Sequence, residues 1–209
     1  MLFRSTSSNT KPVVNEIQHF CILSTKFHNK NMKALIASGG RGTRLRPLTH
    51  TQNKHLIPIA NKPILHYAIE HVVDAGIKEI GIVVNADDIE VQKTIGNGDK
   101  WNVKITFIPQ IVPGGLSQVV QLAEKFIGKD NFIFYLGDNM VVGGVKRFID
   151  AFEKSKCDCF LTLAKVKDPE RFGVPEIKNE RIISVEEKDR KSTRLNSSHV
   201  SESRMPSSA

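Results

Sequence analysis

The sequence contains few cysteines and no long hydrophobic segment. Its three cysteines, Cys21, Cys157 and Cys159, lack the spacing of a disulfide framework or a metal site. Cys159 falls in an apolar stretch, which predicts a small core residue, and reduced thiols favour the cytoplasm. Because no run of about 18 apolar residues is present, we expect no membrane-spanning segment.

The positive charge of the chain lacks the clustering expected of a nucleic-acid-binding face. The formal net charge is +8, from 30 Lys+Arg and 22 Asp+Glu. Residues 1–31 carry four basic residues and one acidic residue, residues 189–209 carry four and two, and residues 32–188 carry 22 and 19. Because the surplus lies mainly near the two ends, we expect no nucleic-acid partner.

Both ends of the chain also lack the hydrophobic periodicity of a folded domain. Residues 1–31 are rich in Ser, Asn, Lys and Thr, and we interpret them as a disordered extension, an over-extended start before Met32 in preference to a transit peptide. Residues 189–209 are predicted to be disordered, and they resemble the translation of a sequencing-library adapter. We therefore predict a truncated domain over residues 32–188, whose natural sequence continues past Lys188.

Between these ends, short apolar runs alternate with segments of helical periodicity. A helix capped by Asn61 is predicted up to Gly76, and a shorter one from Asp87 to near Gly96. Two more helices are predicted over residues 116–127 and 145–153. Strands and a terminal hairpin are predicted over residues 33–37, 80–84, 104–108, 132–136, 160–166, 174–177 and 182–185. This alternation predicts an α/β fold with a mostly parallel sheet and helices on both faces.

A glycine-rich loop, GGRGTRLRPLT, follows the first predicted strand at residues 39–49. Glycines let a backbone approach a ligand, successive N–H groups can bind an anion, and Arg44 adds a permanent positive charge. The loop lacks the third glycine of the dinucleotide-binding pattern, which counts against a nicotinamide-dependent oxidoreductase, and it lacks the Gly-Lys-Ser/Thr ending of a P-loop. We interpret it as a cradle for a triphosphate.

Three other segments supply candidate site residues. Lys54 lies in a polar loop before an apolar segment closed by proline, where its ammonium could point back at the phosphates. Asp138 follows a buried strand, at the end where open α/β sheets bind ligands, and is the best candidate ligand for Mg²⁺. Gln110 and the segment PGGL at residues 113–116 could approach a base. The histidines are interpreted as solvated or half-buried, since their spacing supports neither a metal site nor a triad: His55, His66 and His71.

Five segments in this order, GGRGTRLRPLT, NKHLIPIANKPIL, LGDN, FGV and EEK, resemble the sugar-1-phosphate nucleotidyltransferases. The likeness is greatest to glucose-1-phosphate thymidylyltransferases of the longer type, and it spans residues 32–188. The resemblance implies a Rossmann-like nucleotidyltransferase fold, dependence on Mg²⁺ and assembly into homo-oligomers. It also implies transfer of a nucleoside monophosphate from dTTP or UTP to a sugar 1-phosphate, with glucose 1-phosphate preferred, giving a nucleotide-sugar and pyrophosphate.

The resemblance implies roles for individual residues as well. The catalytic residues would be Arg44, Lys54 and Lys188, the last of which would hold the sugar phosphate. The nucleotide would contact Gly39, Gly40, Gly42, Thr43, Gln110 and Gly115, the last two at the base. Gly173 would line the sugar pocket, Glu187 would bind sugar hydroxyls and Asp138 would hold Mg²⁺.

Two departures from the family pattern affect this prediction. Asp189 stands where relatives place a proline, which agrees with a non-native sequence after Lys188. Relatives also use a second metal-binding aspartate further along the chain, and no position here can supply it. The alternative for this chain is therefore a catalytically incomplete nucleotide-binding or regulatory module of the same fold.

Overall fold

Met32–Ala37 forms a strand inside the sheet because its side chains, except that of Lys33 near its start, are apolar on both faces. Ala34, Leu35 and Ile36 are fully buried, as expected for a parallel strand with helices on both sides. The computed structural model describes residues 16–24, 31–40, 53–155, 157–164, 174–178 and 181–186. The strands within these residues are β1 (Glu16–Leu23), β2 (Met32–Ala37), β3 (Pro58–Ile59), β4 (Lys62–Pro63), β5 (Glu79–Asn85), β6 (Lys104–Gln110), β7 (Asn131–Leu136), β8 (Cys159–Ala164), β9 (Val174–Lys178) and β10 (Arg181–Glu186).

The main sheet has the strand order β6-β5-β2-β7-β1-β8, and its first four strands are parallel. Ala34 of β2 pairs with Ile80 of β5 and with Ile133 of β7. The prediction of a mostly parallel α/β sheet is therefore confirmed. The carboxyl ends of β2, β5, β6 and β7 lie at the same edge of the sheet, which is where ligands bind in folds of this kind.

Strand β1 corrects the prediction that residues 1–31 form a disordered extension. Glu16–Leu23 pairs antiparallel with β7, and Phe20 lies opposite Tyr135. Ile22 is fully buried. The prediction failed because the apolar patch of β1 is short and its partner lies far along the chain. The rest of residues 1–31 lies outside the described residues except for Ser24 and Asn31, and residues 189–209 lie outside them entirely.

Helices flank the sheet at the positions where the periodicity predicts them, with two differences. Asn61 does not cap the first helix, because it lies in a turn between β3 and β4 with φ +65°, a conformation that asparagine tolerates. The helix predicted over residues 116–127 is broken at Ala123 into two helices. The described helices are α1 (Ile64–Asp74), α2 (Ile89–Ile95), α3 (Gly115–Leu122), α4 (Glu124–Ile127) and α5 (Lys146–Ser155).

Two hydrophobic clusters flank the sheet. The alternating side chains of β2 divide between them, with Ala34 and Ile36 in one cluster and Leu35 in the other. The first cluster also contains the buried faces of α1 and α5, and the second contains residues of α3 and α4. Helical spacing predicts an apolar face on α1, and four of its members are fully buried: Leu65, Ala68, Ile69 and Val72. The other two members, Ile64 and Val73, are partly buried.

The chain divides into two compact units. One is His19–Phe160, and the other combines Met1–Gln18 with Leu161–Ala209. In the second unit, β9 and β10 form the predicted antiparallel hairpin, with Ile182 opposite Ile177. The prediction that Cys159 is a core residue is wrong: it is exposed on β8, the last strand of the main sheet. Every helix in the described part of the chain is too short or too polar to cross a bilayer.

Candidate active site

The edge formed by the carboxyl ends of the parallel strands brings together candidate residues from distant segments. Gly39 and Gly40 follow β2, Gln110 ends β6, and Asp138 follows β7. Lys54 begins a short 3-10 helix that ends at Leu56. The other predicted site residues, apart from Gly115, lie outside the described residues and remain predictions: Gly42, Thr43, Arg44, Gly173, Glu187 and Lys188.

Lys54 and Asp138 form a salt bridge at this edge. Lys54 Nζ lies 2.6 Å from Asp138 Oδ2, and the two side chains are 20% and 38% exposed. Burial raises the pKa of the Asp138 carboxyl, but the hydrogen bond and the positive charge of Lys54 outweigh burial and hold that pKa below its usual value. Asp138 is therefore ionised at neutral pH and is exposed enough to accept a cation.

Gly39 and Gly40, which follow β2, allow the backbone to lie close to the polar side chains at this edge. A Cβ on Gly40 would lie 3.0 Å from both Cε and Nζ of Lys54. A Cβ on Gly39 would lie 2.4 Å from Oε1 of Gln110 and 3.5 Å from Oδ1 of Asn85. A larger residue at Gly39 would therefore displace the Gln110 side chain, and one at Gly40 would crowd Lys54.

Gln110 is held by a residue that the sequence reasoning did not identify, Gln118. Gln110 is 4% exposed, and its Nε2 donates to Gln118 Oε1 at 2.8 Å. The same Gln118 oxygen accepts from the backbone N–H of Gly114 at 2.7 Å. Gly115 begins α3 with φ +84° and has open space where a side chain would lie. Gln118 has no signal in the sequence, because its contacts with Gln110 and Gly114 depend on the backbone path before α3.

An exposed apolar surface adjoins Gln110. Its members are far more exposed than is usual for large hydrophobic side chains: Ile111 at 85%, Val112 at 66% and Leu116 at 55%. Exposed apolar side chains beside a buried amide match the usual composition of a small-molecule site, in which a few polar groups orient a ligand against apolar walls.

His55 corrects the interpretation of the histidines as solvated or half-buried. It is 1% exposed, and burial together with the charge of Lys54 lowers its pKa to about 3, against a weaker opposing effect of Asp138. Its backbone N–H donates to Asn53 Oδ1 at 2.8 Å, and its Nδ1 lies 2.9 Å from the same oxygen. His66 is also buried, at 6% exposed, whereas His71 is half-buried as predicted.

Tyr135 anchors the turn that carries Asp138. The fully buried Tyr135 hydroxyl donates to the backbone carbonyl of Asn139 at 3.0 Å, and His71 Nδ1 lies 3.1 Å from that hydroxyl. Because Asn139 directly follows Asp138, this hydrogen bond fixes the backbone from which the carboxylate projects.

The polar groups beside Asp138 fit a site that a metal-bound ligand completes. Asn139 Nδ2 and Ser38 Oγ are buried and have no hydrogen-bond partner among the described residues. Those residues also contain no group of three His, Cys, Asp or Glu side chains that could hold a metal ion. Of the described residues, Asp138 would hold such a metal, and Mg²⁺ usually combines one or two carboxylates with phosphate oxygens and water.

The sequence of the chain is similar to that of known nucleotidyltransferases. A family model described as nucleotidyl transferase matches residues 33–202. The chain is 44% identical over 158 residues to the glucose-1-phosphate thymidylyltransferase of Streptomyces griseus, covering 75% of this chain and 44% of that protein. It is 39% identical over 167 residues to the low-salt glycan biosynthesis nucleotidyltransferase Agl11 of Haloferax volcanii, covering 78% of this chain and 47% of that protein. The chain thus spans about half the length of the curated relatives it matches.

A solved structure resembles the fold as well. It is a Bacillus anthracis protein assigned as a glucose-1-phosphate thymidylyltransferase and crystallised with sucrose. The TM-score is 0.67 and the sequence identity 33%, and the alignment covers 76% of this chain and 65% of that one. The strand order and parallel sheet described above therefore belong to a fold seen in this group of proteins.

Proposed function

Because this chain belongs to the nucleotidyl transferase family, we propose that it transfers a nucleoside monophosphate from dTTP or UTP to a sugar 1-phosphate, with glucose 1-phosphate as the first choice. A phosphate oxygen of the sugar 1-phosphate attacks the α-phosphorus of the triphosphate. The new P–O bond forms as the bond from the α-phosphorus to the oxygen that bridges to the β-phosphorus breaks, and pyrophosphate leaves with that electron pair. The attacking oxygen is already anionic at neutral pH, so no general base is needed.

The observation that carries this proposal is the salt bridge between Lys54 and Asp138, with the Lys54 side chain packed close to Gly40. The chemistry asks the protein chiefly for positioning and for neutralisation of charge on the phosphates. Lys54 is a cation at the edge where parallel sheets bind ligands, and the glycine backbone lies against its side chain. Asp138 would hold Mg²⁺, which supplies further charge neutralisation on the phosphates when bound.

Roles for the remaining residues follow the family likeness and are part of the proposal. Gln110 would orient the base with its amide, and Gly115 would leave room for it. The backbone of Gly39, Gly40, Gly42 and Thr43 would surround the triphosphate, and Arg44 would neutralise the leaving group. On the acceptor side, Gly173 and Glu187 would contact the sugar, and Lys188 would align its phosphate.

A pyrophosphate-release assay tests the proposal. The chain is incubated with glucose 1-phosphate and either dTTP or UTP, with Mg²⁺ or with EDTA, and the nucleotide-sugar is identified by mass spectrometry. We expect Mg²⁺-dependent release, lost by about a hundredfold in Lys54→Met, which is the usual effect of removing one charge contact in the transition state. The matched control is Lys93→Met, which changes an exposed lysine on α2 and should leave turnover unchanged. Triphosphate binding without any turnover would instead identify a binding module.

A further inference from the structure

Asn53 connects two segments that are far apart in the sequence through a single side-chain amide. It precedes the 3-10 helix Lys54–Leu56, and its Oδ1 accepts from the backbone N–H of His55 at 2.8 Å. Its Nδ2 donates to the carboxylate of Asp88, in the loop between β5 and α2. The turn that carries Lys54 is thereby tied to the loop that follows β5.

The contacts of Asn53 with Asp88 and with the His55 backbone N–H also decide which nitrogen of His55 carries a proton. A carboxylate oxygen accepts from an N–H, so the amide of Asn53 must present its nitrogen to Asp88 and its oxygen to His55. His55 Nδ1, at 2.9 Å from that oxygen, must therefore be the donor. The three residues form a directed chain from Asp88 through Asn53 to a neutral, Nδ1-protonated His55.

The ring of His55 extends this chain to the turn that bears Asp138. A Cβ on Gly137 would lie only 3.1 Å from His55 Cδ2, so the ring packs closely against that glycine. His55 adjoins Lys54 in sequence, and Gly137 adjoins Asp138. Lys54 Nζ lies 2.6 Å from Asp138 Oδ2. A second contact, between His55 and Gly137, therefore joins the residues adjacent to this pair in the sequence.

We propose that Asp88, Asn53 and His55 are positioning residues that hold Lys54 against Asp138 before any ligand binds. The lysine side chain is long and flexible, and a fixed starting geometry reduces the ordering that must accompany binding. None of the three residues is placed in contact with substrate; they act through Lys54. The inference rests on the proposed function only for its effect on the nucleotide, since the hydrogen-bond chain can be measured in the protein alone.

The test breaks the chain at Asp88 with Asp88→Asn. The amide that replaces the carboxylate carries no charge, so the hydrogen bond that ties Asn53 to the β5–α2 loop becomes weaker. The His55 backbone N–H still holds the Asn53 oxygen in place. A matched control exists at the opposite edge of the sheet, where Asn97 Nδ2 donates to Asp99 Oδ2 at 2.9 Å and Asn97 Oδ1 accepts from the Asp99 N–H at 3.2 Å. Asp99→Asn makes the same chemical change in an amide–carboxylate pair that does not contact Lys54.

Three measurements are made on the wild type and on both variants. Nitrogen-15 NMR of the imidazole reports the His55 tautomer, acetylation by acetic anhydride followed by peptide mass spectrometry reports the reactivity of the Lys54 amine, and calorimetry with dTTP and Mg²⁺ reports binding. In Asp88→Asn we expect an unchanged His55 tautomer, faster acetylation of Lys54 and triphosphate affinity lower by about tenfold. Lys33, which pairs with Asp130 at 2.9 Å, should keep its acetylation rate. Asp99→Asn should match the wild type in all three.

Two results would overturn the positioning role. One is an Nε2-protonated His55 in the wild type; the other is an unchanged Lys54 acetylation rate in Asp88→Asn. Failure of the proposed function has a different signature, namely a wild type that shows the predicted tautomer and acetylation pattern but binds no triphosphate. If Asp88→Asn does not fold, Asn53→Ser serves instead, because a serine has one polar atom where asparagine has two and cannot keep the separate contacts with His55 and Asp88.

Discussion

At the scale of single residues, the contact with Lys54 keeps the half-exposed carboxylate of Asp138 ionised. The carboxylate would otherwise have a raised pKa through burial, and the lysine reverses that shift. The turn around it is held by a hydrogen bond from Tyr135, and the His55 ring packs against Gly137 of the same turn. Asp138 is therefore charged and held in place, as its proposed role in binding a cation requires.

Replacing Asp138 with asparagine tests its role at this scale. Asp138→Asn retains the shape of the side chain but removes the charge that would hold Mg²⁺. We expect the fold to persist and turnover to fall by about a hundredfold, with the same loss in Arg44→Ala. Circular dichroism checks the fold and the pyrophosphate assay checks the rate. Near-normal turnover in Asp138→Asn would contradict its assignment as the metal ligand.

His55 predicts a pH dependence of stability. Its pKa falls from an ordinary 6.5 to about 3 in the folded protein, chiefly through burial and next through Lys54, while Asp138 acts in the opposite direction. Between these values the unfolded chain binds a proton that the folded chain does not. Stability is therefore complete above the unfolded pKa and falls as the pH decreases from 6.5 towards 3, at up to about 1.4 kcal/mol per pH unit.

Chemical denaturation between pH 4 and 8 measures this contribution. His55→Gln serves as the reference, because it removes the titrating group while other carboxylates continue to titrate. The wild type should lose more stability than His55→Gln on acidification. Parallel curves for the two proteins would show that His55 is protonated as readily in the folded as in the unfolded state.

At the scale of secondary-structure elements, α1 supports the site as well as the core. Leu65 is fully buried on its apolar face, and its Cδ1 would lie 3.1 Å from a Cβ on Gly137. The first turn of α1 thus packs beneath the turn after β7. A change in this helix should be felt both in stability and in the geometry of Asp138.

The substitution Leu65→Ala tests that packing. The cavity it leaves should lower the free energy of unfolding by about 2–5 kcal/mol, the range usual for buried leucines. The matched control is Leu122→Ala on α3, where the side chain is 40% exposed and the expected change is within about 0.5 kcal/mol. Urea denaturation checks both variants. Equal, small effects would mean that α1 does not pack as described.

The predictability of these elements depended on how local their signals are. The strands of the parallel sheet and the α1 face follow from apolar periodicity, which needs no partner to be seen. Asn61 was misassigned because asparagine favours both helix caps and turns with positive φ, and only the β3–β4 pairing distinguishes them. His55 and Gln118 were missed for a related reason: their partners lie in other segments or depend on the backbone path, so no spacing in the sequence reveals them.

At the scale of the whole molecule, β1 completes one side of the parallel sheet. It covers the edge of β7 and buries Ile22, although the sequence favoured a start at Met32. A chain that begins at Met32 should lose at least about 2 kcal/mol of stability, the value of one buried isoleucine side chain, and should aggregate through the exposed strand edge. The control begins at Glu16 and retains β1. Equal melting temperatures for the two versions would contradict the pairing of β1 with β7.

The position of β1 also has a consequence for synthesis on the ribosome. Phe20 pairs with Tyr135, so β1 leaves the exit tunnel first but its partner appears only after β2, β5 and β6 have emerged. Pairing over such a separation must overcome loop-closure entropy and is correspondingly slow. We therefore expect the nascent chain to carry β1 unpaired while the parallel strands assemble. The thiol of Cys21, opposite Phe134, would stay open to alkylation until β7 has emerged and paired with β1.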